Sequence, residues 1–221
     1  MDGNYLVTFV ELPSITGRRA NKYLLMDMGG DVLDFNPHTF SSVLSVRSNS
    51  TQPAPPSRPL NFMGKTVRYL SDNDEMYSAW SKDFLIEKYN DKGVYQSAIY
   101  YPLKGAPFEL EDYTEQASYD ENDVTAALDE VGEELPEWNP VIADMKVDDE
   151  NRIWVAVPTG VQSDSYEWWI LEESGWLLAK LTLPRDQPIY DIQNGYLYSK
   201  KTNKEKGTEY VIRYRIALTK K

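Results

Sequence analysis

The 221-residue sequence has no cysteine, a single histidine and no long hydrophobic run. Without cysteine the chain has no disulfide, no thiolate nucleophile and no cysteine-ligated zinc site. Its longest apolar stretches, such as Trp176 to Leu183, have the length of a strand and fall well short of the roughly 20 residues that span a bilayer. The sequence therefore predicts neither a membrane-spanning helix nor cysteine-based chemistry.

Motifs that carry catalysis are also missing. The sequence has no Gly-x-Ser-x-Gly motif, P-loop or dinucleotide-binding glycine pattern, and His38 lies in a turn-like Asn-Pro-His-Thr context. The segment from Asp72 to Asp74 resembles the start of a calcium loop, but Tyr77 and Asp83 occupy the positions that require glycine and glutamate. We predict no catalytic residue, no metal site and no cofactor, and we favour a non-enzymatic role while leaving the question open.

The negative charge is concentrated in one segment. The net charge is −12, and residues 105–145 contain 13 Asp and Glu but no Lys or Arg. Outside that segment 23 basic side chains stand against 22 acidic ones, and residues 196–221 carry eight Lys and Arg against two Glu. A chain of this overall charge repels phosphate backbones, so nucleic acid is not an expected partner.

The sequence is rich in residues that favour strands, with 16 Tyr and 6 Trp. Four stretches repeat one order of elements: a polar turn, an aromatic-rich strand, a second strand, a glycine-containing turn and a third strand. Such a repeat predicts antiparallel meanders stacked on one another. The four units run from Asp2 to Phe35, from Asp72 to Pro102, from Asp148 to Leu183 and from Gln193 to Leu218.

Two strands differ in their hydrophobic pattern. From Tyr210 to Ile216 apolar and charged residues alternate, which is typical of a strand with one solvated face. The segment from Ile153 to Val157 is apolar on both faces, which favours an inner strand covered by sheets on either side. We therefore predict that Trp154 is buried and that the sheets stack radially.

Two segments interrupt the repeat within what we predict to be a single domain, residues 1–221. Residues 50–59 are rich in proline and are predicted to form a loop or linker. Residues 118–135 change to a helical period, with an apolar stripe of Val124, Leu128 and Val131 on an acidic background. This segment is predicted to be a short acidic helical insertion.

The blade-like motif is clearest from Val147 to Val155 (VDDENRIWV), followed by ESGWLL at Glu173 and LTLP at Leu181. In these units the chain resembles the TolB-like and NHL-like six-bladed β-propellers of bacterial envelope or secreted proteins. The resemblance implies an all-β propeller and a periplasmic, envelope-associated or secreted location. Because that group has six blades and only four units are recognisable here, it also implies that N-terminal sequence is missing; the chain starts directly on strand-like sequence without a signal-peptide pattern.

The sequence indicates the function less clearly than the fold, and three hypotheses about the function remain open. The first is a non-catalytic binding or scaffold module for a protein or carbohydrate partner. Its candidate contact residues are Trp138, Tyr113 and Asp112, which lie in acidic loop sequence. Packing of these aromatic residues beneath the predicted helix is the alternative for them.

The other two hypotheses are a lactonase-like hydrolase and a carbohydrate-binding propeller. Lactonase-type propellers, which the fold resembles, hold an axial divalent cation through Glu, Asn and Asp from separate blades. Carboxylates and amides at blade starts supply candidates here, although the same residues commonly form tight turns. They are Asp2, Asp72, Asp74, Asp148 and Asn194.

Four units of a six-bladed ring would leave the two ends of an arc uncovered. Soluble proteins usually cover or blunt such edges, so we expect capped ends or a homo-oligomer in preference to the alternative, four units closed into a small ring. The basic residues 200–221 and the acidic residues 109–144 supply opposite charges that would orient two copies.

Overall fold

The structure, a computed structural model, describes residues 5–11, 17–33, 40–47, 57–113, 121–161, 163–203 and 205–218. Within these residues the protein is all-β, with four antiparallel sheets; the helix Glu121–Val131 and the helical residues 111–113 lie outside the sheets. Each sheet is a meander in which strands that follow one another in sequence are hydrogen-bonded neighbours. No helix among the described ranges has the length and hydrophobicity needed to cross a membrane.

The bounds of the elements are as follows. The first sheet contains β1 (Tyr5–Glu11), β2 (Gly17–Met26), β3 (Phe40–Arg47) and β4 (Ser57–Pro59). The second contains β5 (Thr66–Leu70), β6 (Met76–Trp80), β7 (Phe84–Tyr89) and β8 (Tyr95–Tyr101). The third contains β9 (Asp144–Val147), β10 (Ile153–Pro158), β11 (Ser165–Leu171) and β12 (Leu177–Pro184). The fourth contains β13 (Ile189–Gln193), β14 (Tyr196–Thr202) and β15 (Glu209–Arg215); η1 (Asn61–Met63) and α1 (Glu121–Val131) are helical.

One turn recurs five times, at residues 27–31, 71–75, 90–94, 148–152 and 172–176. In each, the first residue donates its N–H to the carbonyl of the fifth, and the fourth donates to the carbonyl of the first. The fourth residue has a positive φ and is glycine in three of the turns, Asp74 in one and Asn151 in another. This is the three-residue hairpin loop closed by a left-handed residue, and it explains why Gly, Asp and Asn punctuate the strands.

The turn at residues 148–152 is built around a buried carboxylate. Asp148 accepts hydrogen bonds from the backbone N–H groups of Glu150 and Arg152, at 3.0 and 2.9 Å. Its second oxygen accepts from the Arg152 guanidinium at 2.7 Å and from the indole N–H of Trp154 at 2.8 Å. Trp154 is fully buried, as predicted, because this carboxylate satisfies its one polar atom.

The sheets are arranged as the blades of a propeller. β3 packs beside β5, β5 beside β9, and β9 beside β13, so the sheets follow one another around an arc. An apolar layer that includes Phe84, Ile86 and Val155 fills the space between the second and third sheets. A layer that includes Trp154, Ile189 and Leu197 fills the space between the third and fourth. The prediction of an all-β fold of about four propeller blades is confirmed.

The strand that contains Trp154 occupies a different position in its sheet from the one predicted. β10 is sandwiched between two sheets, as its apolar faces predict, but it is the second strand of its sheet. The strand nearest the neighbouring sheets is β9, and β5 and β13 hold the same place in their sheets. These three strands precede the turns at which the sequence repeat was taken to begin, and their mixed polar and apolar residues concealed them.

The two predicted interruptions of the repeat differ from the structure in their bounds. The helix α1 covers the centre of the predicted helical segment 118–135, and Val124 and Leu128 are buried as expected. The expectation of a loop through residue 59 is wrong for Ser57–Pro59, which pairs with β3 at the sheet edge, where proline is tolerated. Asp2, His38 and the remainder of the proline-rich segment lie outside the described residues.

Replacing Asp148 with Asn should destabilise the fold by about 1–3 kcal/mol, because an amide cannot accept from four donors and leaves the Arg152 guanidinium without its buried partner. Asp72→Asn is the matched control, since Asp72 is exposed in the equivalent turn of the second sheet and should change stability by less than about 0.5 kcal/mol. Urea unfolding followed by tryptophan fluorescence measures both. Equal stability of the two variants would contradict the structural role of Asp148.

Candidate functional site

A cavity of about 300 Å³ opens at one end of the second and third sheets. β5 and β9 begin at this end and β6 and β10 finish there, so the connections between strands form its walls. The whole connection between β8 and β9, residues 102–143, is called the acidic insertion from here on, and its described parts close one side of the cavity. The segment between β12 and β13 contributes Arg185 on another side. Its volume lies at the lower end of the range for small-molecule sites.

Ser81 fixes the floor of the cavity. This buried residue follows β6, and its hydroxyl accepts a hydrogen bond from the backbone N–H of Lys65 at 2.9 Å. Its carbonyl accepts from the N–H groups of Val141 and Ile142, at 2.7 and 3.1 Å. One residue therefore joins the entry to β5, the end of β6 and the chain that leads into β9.

Asn139 fixes the insertion against the same site. Its amide donates to the carbonyl oxygens of Ala106 and Pro107, at 3.3 and 2.8 Å, and its backbone N–H donates to Ala106 at 2.8 Å. Its side-chain oxygen accepts from the Tyr113 hydroxyl at 2.6 Å. The side chain is buried and all of its hydrogen-bonding groups are used, so it holds the two ends of the insertion together.

Two glycines permit close approach at the rim. A Cβ on Gly105 would lie 1.9 Å from the carbonyl oxygen of Asn139, a distance that no side chain can accommodate. Gly64 has φ of 85°, and a Cβ there would lie 2.8 Å from the ring of Trp80. The backbone before Lys65 and the start of the insertion therefore require glycine.

An aromatic group supports Tyr113 from below. Phe62 lies 5.0 Å from Phe108 and 4.9 Å from Tyr113 between ring centroids, and Phe108 stacks on Tyr113 at 5.4 Å. Phe62 belongs to η1 and is buried together with residues of β3 and α1. This cluster attaches the insertion to the first two sheets and sets the position of the tyrosine.

Arg185 lies on the far wall. Its guanidinium donates to the carbonyl oxygens of Gly160 and Val161, at 2.6 and 3.2 Å, and stands 4.9 Å from the ring centroid of Tyr166. Its backbone N–H donates to the carbonyl of Asp164 at 2.7 Å. These contacts bring the loop between β10 and β11 and the segment after β12 together over the cavity.

Burial raises the pKa of Tyr113 to about 12; the carboxylate of Asp112 adds to this effect, and the Arg185 guanidinium opposes it. The phenol therefore stays protonated at neutral pH, which fits its role as donor to Asn139. Since its pKa is above the ordinary 10.0, its contribution to stability is complete below pH 10 and is lost as the pH rises through about 12.

The three residues that the sequence singled out differ in their relation to the cavity. Tyr113 lines the cavity, and Asp112 is half-buried beside it without lining the cavity. Trp138 is half-buried outside the cavity, with the Lys104 ammonium 4.8 Å from its ring centroid. Its role, and that of Asp112, in binding a partner remains a prediction.

The residues that fix the cavity were missed by sequence reasoning. Ser81, Lys65, Asn139 and Arg185 stand in connections between strands, outside any motif. One partial indication is visible in the sequence. Arg185 directly follows the strand sequence LTLP and is therefore a cation at the start of a connection between strands. Nothing in a single sequence shows that this connection and the insertion line the same cavity, because the two are distant in sequence.

Among the blade-start residues proposed as cation ligands, the four that the structure describes lie at the opposite end of the sheets: Asp72, Asp74, Asp148 and Asn194. Asp74 and Asn194 adopt positive φ in turns, and Asp148 is saturated by its hydrogen bonds. Asp72 is an exposed turn residue. No group of three or more His, Asp or Glu side chains is arranged to hold a metal ion within the described parts of the chain.

Comparisons with known proteins give fold likeness only. No family model matches the chain, and no curated protein matches it. A protein of unknown function from Bacteroides caccae is similar at 11% identity and a TM-score of 0.38; the match covers 90% of this chain and 57% of that one. Streptogramin B lyase, a β-propeller, is similar at 12% identity and a TM-score of 0.32, over 96% of this chain and 73% of that one.

These likenesses identify neither a family nor a ligand for the chain. The chain spans little more than half the length of the Bacteroides caccae protein. The TolB-like or NHL-like assignment receives no support from a family match and stays a prediction.

The phenol of Tyr113 should titrate at about pH 12, two units above the ordinary tyrosine value of 10.0. A pH titration of ¹³Cζ-labelled tyrosine by NMR measures this, and Tyr113→Phe assigns the resonance by removing it. A Tyr113 resonance that titrates near pH 10 would show that the hydroxyl is solvated and that the insertion does not close over the cavity as described.

Proposed function

We propose that the protein is a non-catalytic binding module that holds a small molecule in the cavity between its second and third sheets. The observation that carries this proposal is the way the walls are fixed. Ser81 and Asn139 are buried and hydrogen-bonded to three separate segments, so the cavity is formed before a ligand arrives. A preformed site avoids the cost of ordering its walls during binding.

The chemistry of the walls favours binding over catalysis. None of the described residues that line the cavity is His, Asp or Glu, the residue types most often used as general acids and bases. The Ser81 hydroxyl already accepts a hydrogen bond from Lys65, and Tyr113 keeps its proton at neutral pH. A metal-dependent hydrolase is therefore the weaker alternative.

Carbohydrate binding is supported at a different place. Trp176 and Tyr100 are 75% and 65% exposed where the turn before β12 meets β8. The Tyr101 hydroxyl donates to the carbonyl of Gly175 at 2.6 Å and holds this turn in position. Exposed aromatic faces on a fixed outer surface suit the apolar face of a sugar ring, and so they make carbohydrate the second candidate ligand.

The setting of this function is part of the proposal and rests on the family resemblance. An envelope-associated or secreted propeller would meet its ligand outside the cytoplasm. In such a role the protein would bind or present the molecule and would require no cofactor.

Binding at the cavity can be tested with a library of small fluorinated fragments observed by ¹⁹F NMR. Ala106 is exposed and lines the cavity, so Ala106→Phe should obstruct it without disturbing the core. Ala126→Phe, on the exposed side of α1, is the matched control. Fragments should bind the unmodified protein and the control, and their binding should fall at least about tenfold in Ala106→Phe.

Two results would overturn the proposal. One is the absence of any fragment that binds. The other is a set of bound fragments whose affinities are the same in Ala106→Phe and in Ala126→Phe, which would place them elsewhere on the surface.

A further inference from the structure

We infer that the ligand carries an anionic group, a carboxylate or a phosphate, that is held by Arg185 and Lys65. This inference rests on the proposed function, because it specifies which chemical class the cavity takes. Its first support is that the cavity and the whole chain carry charge of opposite sign. The chain has a net charge of −12, yet the described residues that line the cavity include two cations and no carboxylate.

In the described part of the chain, several cations of the fold are neutralised by an acidic partner, and the two cations of the cavity are not. Lys88, Lys146, Arg152, Lys180 and Lys200 each form an ion pair with Glu or Asp. Among the residues that the structure describes, neither Lys65 nor Arg185 forms one. Two unpaired positive charges around one small cavity repel each other, and an anion placed between them relieves this repulsion.

The hydrogen bonds of Arg185 lead to the same class of ligand. A guanidinium has five N–H donors. The carbonyl oxygens of Gly160 and Val161 accept from two of them and orient the group without neutralising its charge. Its Nε is buried and has no hydrogen-bond partner within the described ranges. An arginine that is held in place with donors to spare is suited to a carboxylate or phosphate oxygen.

Neutral donors and acceptors are available beside the charges. Asn61 and Tyr113 line the cavity with Arg185 and Lys65. The hydroxyl oxygen of Tyr113 donates to Asn139 and retains lone pairs that a ligand donor can use. The site can therefore fix the orientation of the ligand as well as its charge.

The remaining walls are apolar. Phe62, Pro140, Ile142, Pro158 and Val161 face the same space. A ligand that fits has a charged end for the two cations and a compact apolar or aromatic body for these side chains. The small volume restricts the part of the ligand that enters the cavity to a single ring or a short chain.

The general field of the protein acts against this ligand. A protein with excess negative charge lowers the local concentration of anions near its surface. Binding must therefore come from the two cations at short range, and not from steering by the whole molecule. Removing either positive charge should consequently lower affinity for anions while leaving neutral molecules of the same shape unaffected.

Benzoate and benzamide test the inference, since they have the same shape and differ in charge. We expect benzoate to bind on the order of tenfold more tightly than benzamide, because a hydrogen bond to a charged group is worth more than a neutral one. Affinities are measured by ¹H–¹⁵N NMR titration of the full chain. Phenyl phosphate is added as a third probe, and tighter binding of phenyl phosphate or of benzoate identifies the anionic group as phosphate or carboxylate.

Lys65→Met is the decisive variant, because it removes a charge whose side chain has no described hydrogen bond or ion pair to lose. It should reduce the affinity for benzoate and phenyl phosphate at least about fivefold and leave that for benzamide unchanged. Lys92→Met, in an exposed turn, is the matched control and should change none of the three. Arg185→Lys keeps the charge and should retain part of the preference for the anion even if the loop that it holds is loosened.

The outcomes separate the inference from the function on which it rests. If fragments occupy the cavity but benzoate and phenyl phosphate bind no better than benzamide, the ligand is neutral and the inference is wrong while the proposed function stands. If Lys65→Met and Lys92→Met affect the anions equally, the inference is also wrong. If neither the anions nor any fragment binds, both fail.

Discussion

The hydrogen bonds of Ser81 hold together the part of the molecule on which its proposed function depends. Its hydroxyl and its N–H bind Lys65 before β5, and its carbonyl binds Val141 and Ile142 before β9, so Ser81 joins two pieces of chain that are distant from it in sequence. Propeller sheets are joined mainly by apolar side chains, which fill space without fixing direction. A buried polar residue fixes the relative orientation of the segments that it joins, because its hydrogen bonds are satisfied in only one arrangement. The ends of the second and third sheets are thereby set at a fixed separation, and the cavity is the space between them.

Charge is distributed so that this cavity is unlike the rest of the surface. The acidic insertion approaches the site, but it presents Asn139 and Tyr113 to the cavity. Asp112 stays beside Tyr113, where its effect is to help keep the phenol protonated. The two cations come from different connections, one before β5 and the other before β13. The strands hold the site in place, and the connections between strands provide the side chains that would contact a ligand, as is common in protein folds.

The sequence specified the fold more fully than the site because the two depend on interactions of different range. The turns at residues 90–94 and 148–152 are local: each needs a residue that tolerates positive φ, and Gly93 and Asn151 are visible in the sequence. The burial of Trp154 also follows from a run that is apolar on both faces. The strands β5, β9 and β13 were not recognised because their short sequences mix polar and apolar residues without a clear pattern. Ser81 and Arg185 could not be identified from the sequence, because the segments that they contact are distant from them along the chain.

The central claim is that this acidic protein holds an anion between Arg185 and Lys65. A crystal of the protein soaked with 4-bromobenzoate tests it most directly, because the anomalous signal of bromine locates the ring and the electron density then orients the carboxylate. We predict a bromine peak within the cavity and carboxylate oxygens about 3 Å from a nitrogen of Arg185 or Lys65. A molecule bound with its carboxylate toward solvent and its bromine against the two cations, or bound only outside the cavity, would contradict it.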